Sequence, residues 1–181
     1  MGPGGVEIPS RFPWRFGLGI GQNVSMIECL PCGICSWSYD LSGDGHRAET
    51  VLRGFGEQGK LRVDGESFDV VKEGIWSGRW RLESISGTLF TAQKASAFMR
   101  TFEITGRDGG SVLSADSAFK RAMRLEGDQA NVTIRPVHAF TRRAEITGEA
   151  ADFRLVAFAF WLTALLWRRA ASNHNSQGGA P

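Results

Sequence analysis

The chain is poor in the residues on which most enzyme chemistry depends. Among 181 residues there are three histidines, three cysteines and one tyrosine. His46, His138 and His174 stand apart from one another, so no acid–base–nucleophile constellation forms along the sequence, and no enzyme is expected. An odd number of cysteines fits a reducing compartment better than a disulfide framework. Tyr39 is the sole tyrosine against twelve Phe and six Trp, so the aromatics read as core rather than interface. A net charge of +2 does not by itself imply a nucleic-acid partner, and none is expected. The first 22 residues lack an uninterrupted apolar segment of signal-peptide length, and Val6 stands where a myristoylation site wants Ser or Thr. A cytoplasmic location is therefore expected. Gly17-Leu18-Gly19-Ile20-Gly21 has no strand before it and no helix after it, which excludes a dinucleotide fingerprint. No cofactor is implied.

What is abundant is repetition. The phrase Ala-Phe-x-Arg-x-x-x-(Ile/Leu)-x-Gly occurs three times at an interval of 21 residues, opening at Ala97, Ala118 and Ala139 and closing at Gly106, Gly127 and Gly148. A unit of that length is most naturally a β-hairpin. Gly78-Arg79-Trp80-Arg81-Leu82-Glu83 resembles a degenerate fourth copy, one residue out of step. Elsewhere Asp64-Gly65 separates two alternating runs, the strongest short hairpin signal. Ser42-Gly43-Asp44-Gly45 marks another hairpin. The alternation predicts about twelve strands, the repeat strands spanning 98–105, 119–126 and 139–146. Regular short strands with polar turns indicate an antiparallel barrel or sandwich.

The exception follows the last repeat. Residues 155–167 are apolar on every side and closed by Arg154 and by Arg168-Arg169. Such a helix must be buried in protein or in lipid. Thirteen residues span roughly 20 Å, short of the roughly 30 Å hydrocarbon core. A closed barrel of about twelve strands is too wide for its own side chains to fill, so a helix threaded through it satisfies both elements. The expected fold is all-β with one helix: a closed, roughly twelve-stranded antiparallel barrel enclosing a hydrophobic C-terminal helix. Residues 1–22 read as a flexible leader, 23–170 as the barrel with its helix at 153–169, and 171–181 as a disordered tail. Phe158, Trp161, Leu162, Leu165 and Leu166 are expected to be core.

Sequential strands followed by an all-round apolar helix resemble the tubby C-terminal-like superfamily, which includes the phospholipid scramblase-like and LURP-one-like proteins. The likeness covers about residues 36 to 169. It is carried by Trp80-Arg-Leu-Glu83, by Ala-x-Lys-x-Ser-x-Phe-x-Arg-x-Phe over Ala92–Phe102, and by Phe160-Trp161-Leu162…Leu165-Leu166-Trp167-Arg168-Arg169. Small uncharacterised bacterial members are the most similar. The resemblance implies the barrel and suggests an anionic lipid partner. It does not carry over calcium chemistry, because no acidic loop of Asp-x-Asp-x-Asp-Gly type is present, nor a recognisable phosphoinositide motif.

Candidate binding residues follow from the repeat. In a regular strand Phe98, Arg100, Phe102 and Ile104 share one face. A buried, unpaired guanidinium is very costly, so either a bulge turns Arg100, Arg121 and Arg142 outward or the three ring one barrel mouth. A ring of that kind suits a phosphate or carboxylate, or else pairs with internal carboxylates or carbonyls. Lys94, Lys120 and Arg143, with Arg124 and Arg135, form a second basic group, diluted by Glu103, Glu126 and Glu145. Cys29, Cys32 and Cys35 are the weak candidate for a metal site, lacking a clear fourth ligand. The reading is a non-enzymatic binding module for anionic lipid headgroups or a similar phosphate-bearing ligand, peripheral at an anionic membrane surface. The alternatives are a protein-interaction scaffold or a tail-anchored membrane protein.

Overall fold

The computed structural model describes residues 22–33, 36–53, 56–74, 76–96, 99–117, 120–138 and 141–177. Twelve strands precede one helix. They are β1 (Gln22–Pro31), β2 (Tyr39–Gly43), β3 (His46–Leu52), β4 (Gly59–Val63), β5 (Glu66–Glu73), β6 (Arg79–Ser84), β7 (Gly87–Lys94), β8 (Thr101–Gly106), β9 (Gly109–Ala115), β10 (Met123–Gly127), β11 (Ala130–Pro136) and β12 (Ala144–Ala150), followed by α1 (Phe153–Gln177). Each strand pairs antiparallel with its sequence neighbour, and β1 pairs with β12, so the sheet closes into a barrel. Closure removes both sheet edges.

This up-and-down order gives the barrel two unlike mouths. At one, the strands are joined by tight turns at residues 44–45, 64–65, 85–86, 107–108 and 128–129. Asp44 and Gly45 have φ of 52° and 79°, and Asp64 and Gly65 have 49° and 89°. Two successive positive φ values are what a primed hairpin turn requires, and Asp-Gly tolerates them. At the other, wide mouth the connections are longer: 32–38, 53–58, 74–78, 95–100, 116–122 and 137–143. The helix enters at the turn mouth and leaves at the wide one. Its start is capped by Asp152, whose Oδ1 accepts the Arg154 amide at 2.8 Å.

Strand side chains alternate inward and outward; β4 reads buried–exposed–buried–exposed–buried. The inward set meets the helix, where Val156 through Leu162 are all wholly buried. Phe158, Trp161, Leu162, Leu165 and Leu166 lie in this core as expected. Edge-to-face aromatic contacts carry the packing along the axis. The Tyr39 and Phe160 centroids are 5.0 Å apart, and those of Phe160 and Trp167 are 6.2 Å apart. One helix, Phe153–Asn173, is long and apolar enough to cross a membrane, but it is the one the barrel encloses. In this fold its apolar side chains face strands rather than lipid.

The 21-residue repeat is a loop closure joined to a strand. The Ala95 amide donates to the Thr101 carbonyl at 3.0 Å, Asp116 to Ala122 at 3.1 Å, and Val137 to Arg143 at 2.9 Å. Cys32 to Ser38, at 2.9 Å, repeats the closure three intervals upstream. The repeat strands thus begin at Thr101, Met123 and Ala144 rather than at 98, 119 and 139. Each wide-mouth loop takes up the first residues of the phrase before pairing resumes. Phe98, Phe119 and Phe140 lie outside the described residues, and Arg100, Arg121 and Arg142 precede their strands. The expectation that Phe and Arg share a strand face is therefore corrected. The connection at 74–78 is shorter, which puts Arg79 already in β6 and accounts for the out-of-step fourth copy.

The helix also outruns its expected end. It does not stop at Arg168-Arg169 but continues through Ala170 and Ala171 to Gln177, so the tail expected from residue 171 is helical that far. Two alanines, the best helix formers, follow the arginine pair, and the Ser172 hydroxyl donates back to the Arg168 carbonyl at 3.1 Å.

Candidate functional site

The three repeat arginines sit at the wide mouth, neither inside the barrel nor on its wall. Each braces its loop. Arg100 Nη2 donates to the Ser117 carbonyl of the next loop at 2.7 Å. Arg142 Nη1 donates to the Ser36 carbonyl at 2.9 Å, with its guanidinium 4.6 Å from the Trp37 ring centre. The Arg121 guanidinium lies 5.2 Å from the Trp167 ring centre, while its carbonyl accepts the Trp167 indole N–H at 2.9 Å. Loop–loop and loop–helix contacts therefore occupy part of the donor capacity expected to await an anion. They also hold the guanidinium groups in fixed positions at the rim.

The helix exit adds a second basic group. Glu57, on the 53–58 connection, accepts from Lys72 Nζ at 2.6 Å and from Arg169 Nε at 2.6 Å. Its backbone carbonyl takes the Trp80 indole N–H at 3.0 Å. Lys72 and Arg169 each stand 5.4 Å from the Trp80 ring centre, so that ring has two cations against it. Arg168 Nη1 caps the Arg53 carbonyl at 2.7 Å. Burial, then repulsion from Arg169, lowers the Lys94 pKa.

Burial pushes the Glu57 carboxyl up, but the hydrogen bonds from Lys72 and Arg169 outweigh it and hold its pKa below the usual value. A carboxylate so depressed adds stability that is present above its unfolded pKa and is lost as pH falls through the folded one. In urea titrations, stability is expected to fall as pH drops below about 4.5, the ordinary glutamate value. Glu57→Gln should remove part of that slope and cost roughly 1–3 kcal/mol at neutral pH, leaving two cations without their shared acceptor. A wild-type slope in the variant would show that the cluster does not anchor the helix.

Charge is segregated along the barrel axis. On the strand wall, Arg135 is paired with Glu145 directly across the ladder, and Arg124 reaches Glu126 at 3.3 Å and Asp116 at 3.5 Å. At the wide mouth, Lys94, Lys120 and Arg143 join the repeat arginines and Arg168-Arg169, with Asp40, Glu57, Glu73 and Asp116 as acids there. The turn mouth carries Asp44, Asp64, Asp108, Asp128 and Asp152 against Arg107 and Arg154. A net charge of +2 hides this polarity. The wide-mouth loops also expose apolar side chains: Trp76 at 95%, Met99 at 60% and Val137 at 44%. Ile85 is similarly exposed, but at the turn mouth.

A cavity of about 430 Å³ opens at the wide mouth between Arg100, Arg121 and Met123 on the barrel side and Leu166, Trp167, Ala170 and Ala171 on the helix. Two cavities at the turn mouth, about 540 and 470 Å³, share Asp108, Asp152 and Arg154 and mix polar side chains with Val63 and Phe153 in one and Leu89 and Phe90 in the other.

Of the cysteines, Cys29 is buried and Cys32 exposed; Cys35 lies outside the described residues. Burial, reinforced by Glu28 and Glu145, raises the Cys29 thiol well above its usual pKa, which makes it a poor nucleophile. Among the described residues no group of three or more His, Cys, Asp or Glu side chains is placed to hold a metal ion. Tyr39 is buried, its hydroxyl has no hydrogen-bond partner among the described residues, and burial pushes its pKa up to about 12.

Sequence reasoning found Arg100, Arg121, Arg142, Lys94, Lys120 and Arg143. It missed Trp76, Met99 and the Glu57–Lys72–Arg169 cluster. Trp76, Met99 and Glu57 share a position in a longer odd-to-even connection, which becomes visible only once strand order is known, while Lys72 and Arg169 reach Glu57 from β5 and α1. Compared with protein-family models, curated proteins and solved structures, the chain matches none.

Proposed function

We propose that the protein is a non-enzymatic binding module that sets its wide mouth against an anionic lipid surface. The observation that carries this reading is the convergence of basic side chains with exposed Trp76, Met99 and Val137 on one end of the barrel. Each basic residue near an anionic leaflet contributes about 1 kcal/mol, and an exposed aromatic suits the headgroup layer. The acidic turn mouth would then face away, which orients the molecule. We also propose a place beside the tubby C-terminal-like barrels. Supporting it are the twelve-stranded closure around a C-terminal helix and the core positions of Trp80, Phe102 and Trp161.

The test is flotation of detergent-free protein with phosphatidylcholine vesicles, with and without phosphatidylserine, across a salt series. Flotation with the anionic vesicles alone, lost at high salt, is the expected result. Equal flotation with neutral vesicles would replace electrostatic docking by apolar insertion. No flotation under any condition would overturn the lipid reading in favour of a protein-interaction scaffold.

A further inference from the structure

The wide-mouth cavity is shaped for more than a headgroup. Its inner wall is Met123, Leu166 and Trp167, all nearly or wholly buried, and its outer wall is Ala170 and Ala171 on the helical extension. The Trp167 indole N–H is already taken by the Arg121 carbonyl, so the ring offers the cavity chiefly carbon. Among the described residues, charged side chains enter only at Arg100 and Arg121. Among the described residues Arg121 has the Trp167 ring as its partner and no carboxylate. A hydrophilic ligand placed there would lose water without gaining partners along most of its surface. A volume of about 430 Å³ lies within the range of small-molecule sites.

We propose that this cavity binds a single-chain fatty carboxylate, with its alkyl tail between Met123, Leu166 and the two alanines and its carboxylate at Arg100 and Arg121. The alanines matter because they leave the space open; a large side chain at either position fills it. The helical extension beyond Arg169 therefore builds one wall of a site rather than merely ending the fold. The inference rests on the reading of the wide mouth as the anion-facing end.

The test is calorimetric titration of the full chain with acetate, octanoate and dodecanoate, each below its micellar concentration, in parallel with flotation on anionic vesicles. Affinity is expected to rise roughly fourfold for each methylene that enters the cavity. Ala171→Trp should abolish that chain-length dependence without moving the melting midpoint. Ala171→Met, a milder filling, should shorten the longest chain accepted. Dodecyltrimethylammonium, with the same tail and a cationic head, should bind at least tenfold more weakly than dodecanoate. If dodecanoate binds no better than acetate while flotation persists, the cavity inference fails and the surface reading stands. If neither is seen, both fail. Undiminished chain-length dependence in Ala171→Trp would place the tail elsewhere and overturn the site.

Discussion

Replacing Trp161 by aspartate is expected to leave no folded protein at 25 °C, and replacing it by alanine to lower stability by roughly 3–5 kcal/mol in urea denaturation. Trp161 is wholly buried on the barrel axis. Its indole N–H donates to the Val51 carbonyl at 3.2 Å, and its ring lies where a Cβ on Gly59 would stand. The site therefore combines a large apolar area, one hydrogen bond and a close backbone approach. An aspartate there has no cation within the sealed interior, so it must stay unpaired or take up a proton; that desolvation, added to the roughly 3–5 kcal/mol lost with the ring, exhausts a stability that is typically about 5–15 kcal/mol. Trp161→Phe keeps most of the ring and loses the indole hydrogen bond to a carbonyl that still faces Lys60 in the β3–β4 ladder, so its cost should be nearer 1–3 kcal/mol. A folded Trp161→Asp protein that merely lost membrane association would show that the helix is not the core of the barrel.

Changing Trp76→Ser, Lys120→Gln and Arg143→Gln together is expected to weaken binding to anionic vesicles by about two to three orders of magnitude, at roughly 1 kcal/mol per basic residue plus the loss of a buried indole. The melting midpoint should hardly move, because all three side chains are exposed at loop positions. Lys120 meets Asp116 only at 3.8 Å, with 71% of its side chain exposed, so removing it breaks little. The informative control is Arg62→Gln with Arg107→Gln. It removes the same two positive charges, but from exposed side chains at the turn-mouth end of the barrel. Binding that falls equally in the control would mean that overall charge, not the wide mouth, governs association.

Much of the fold was legible in the chain because its signals are local. Asp64-Gly65 between alternating runs can hardly be anything but a tight hairpin, and it is one. The apolar run at 155–167, hydrophobic on every side, had to be enclosed, and a closed sheet of twelve strands is what encloses it. The site was less legible. Arg100, Arg121 and Arg142 were marked by the repeat, but their placement depended on where each strand began. A three- to five-residue displacement of that start moves an arginine from the strand face into a loop. Trp76 read as another core aromatic, since nothing in its immediate neighbours distinguishes an indole at a loop tip from one inside the barrel.

Alternation, turn residues and apolar periodicity act over a few residues, and they were enough to set the number of hairpins, their near-constant length and the need for a helix within them. Which connections share a mouth emerges only when the strands close into a barrel. The tertiary structure thereby gathered the basic loops and exposed Trp76 at one end and the aspartate turns at the other. It also put Ala170 and Ala171 opposite Arg100 and Arg121 to form a cavity. Those juxtapositions follow from barrel closure between β1 and β12 and from the helix leaving through the wide mouth. Both bring together residues far apart along the chain, beyond the reach of any local pattern.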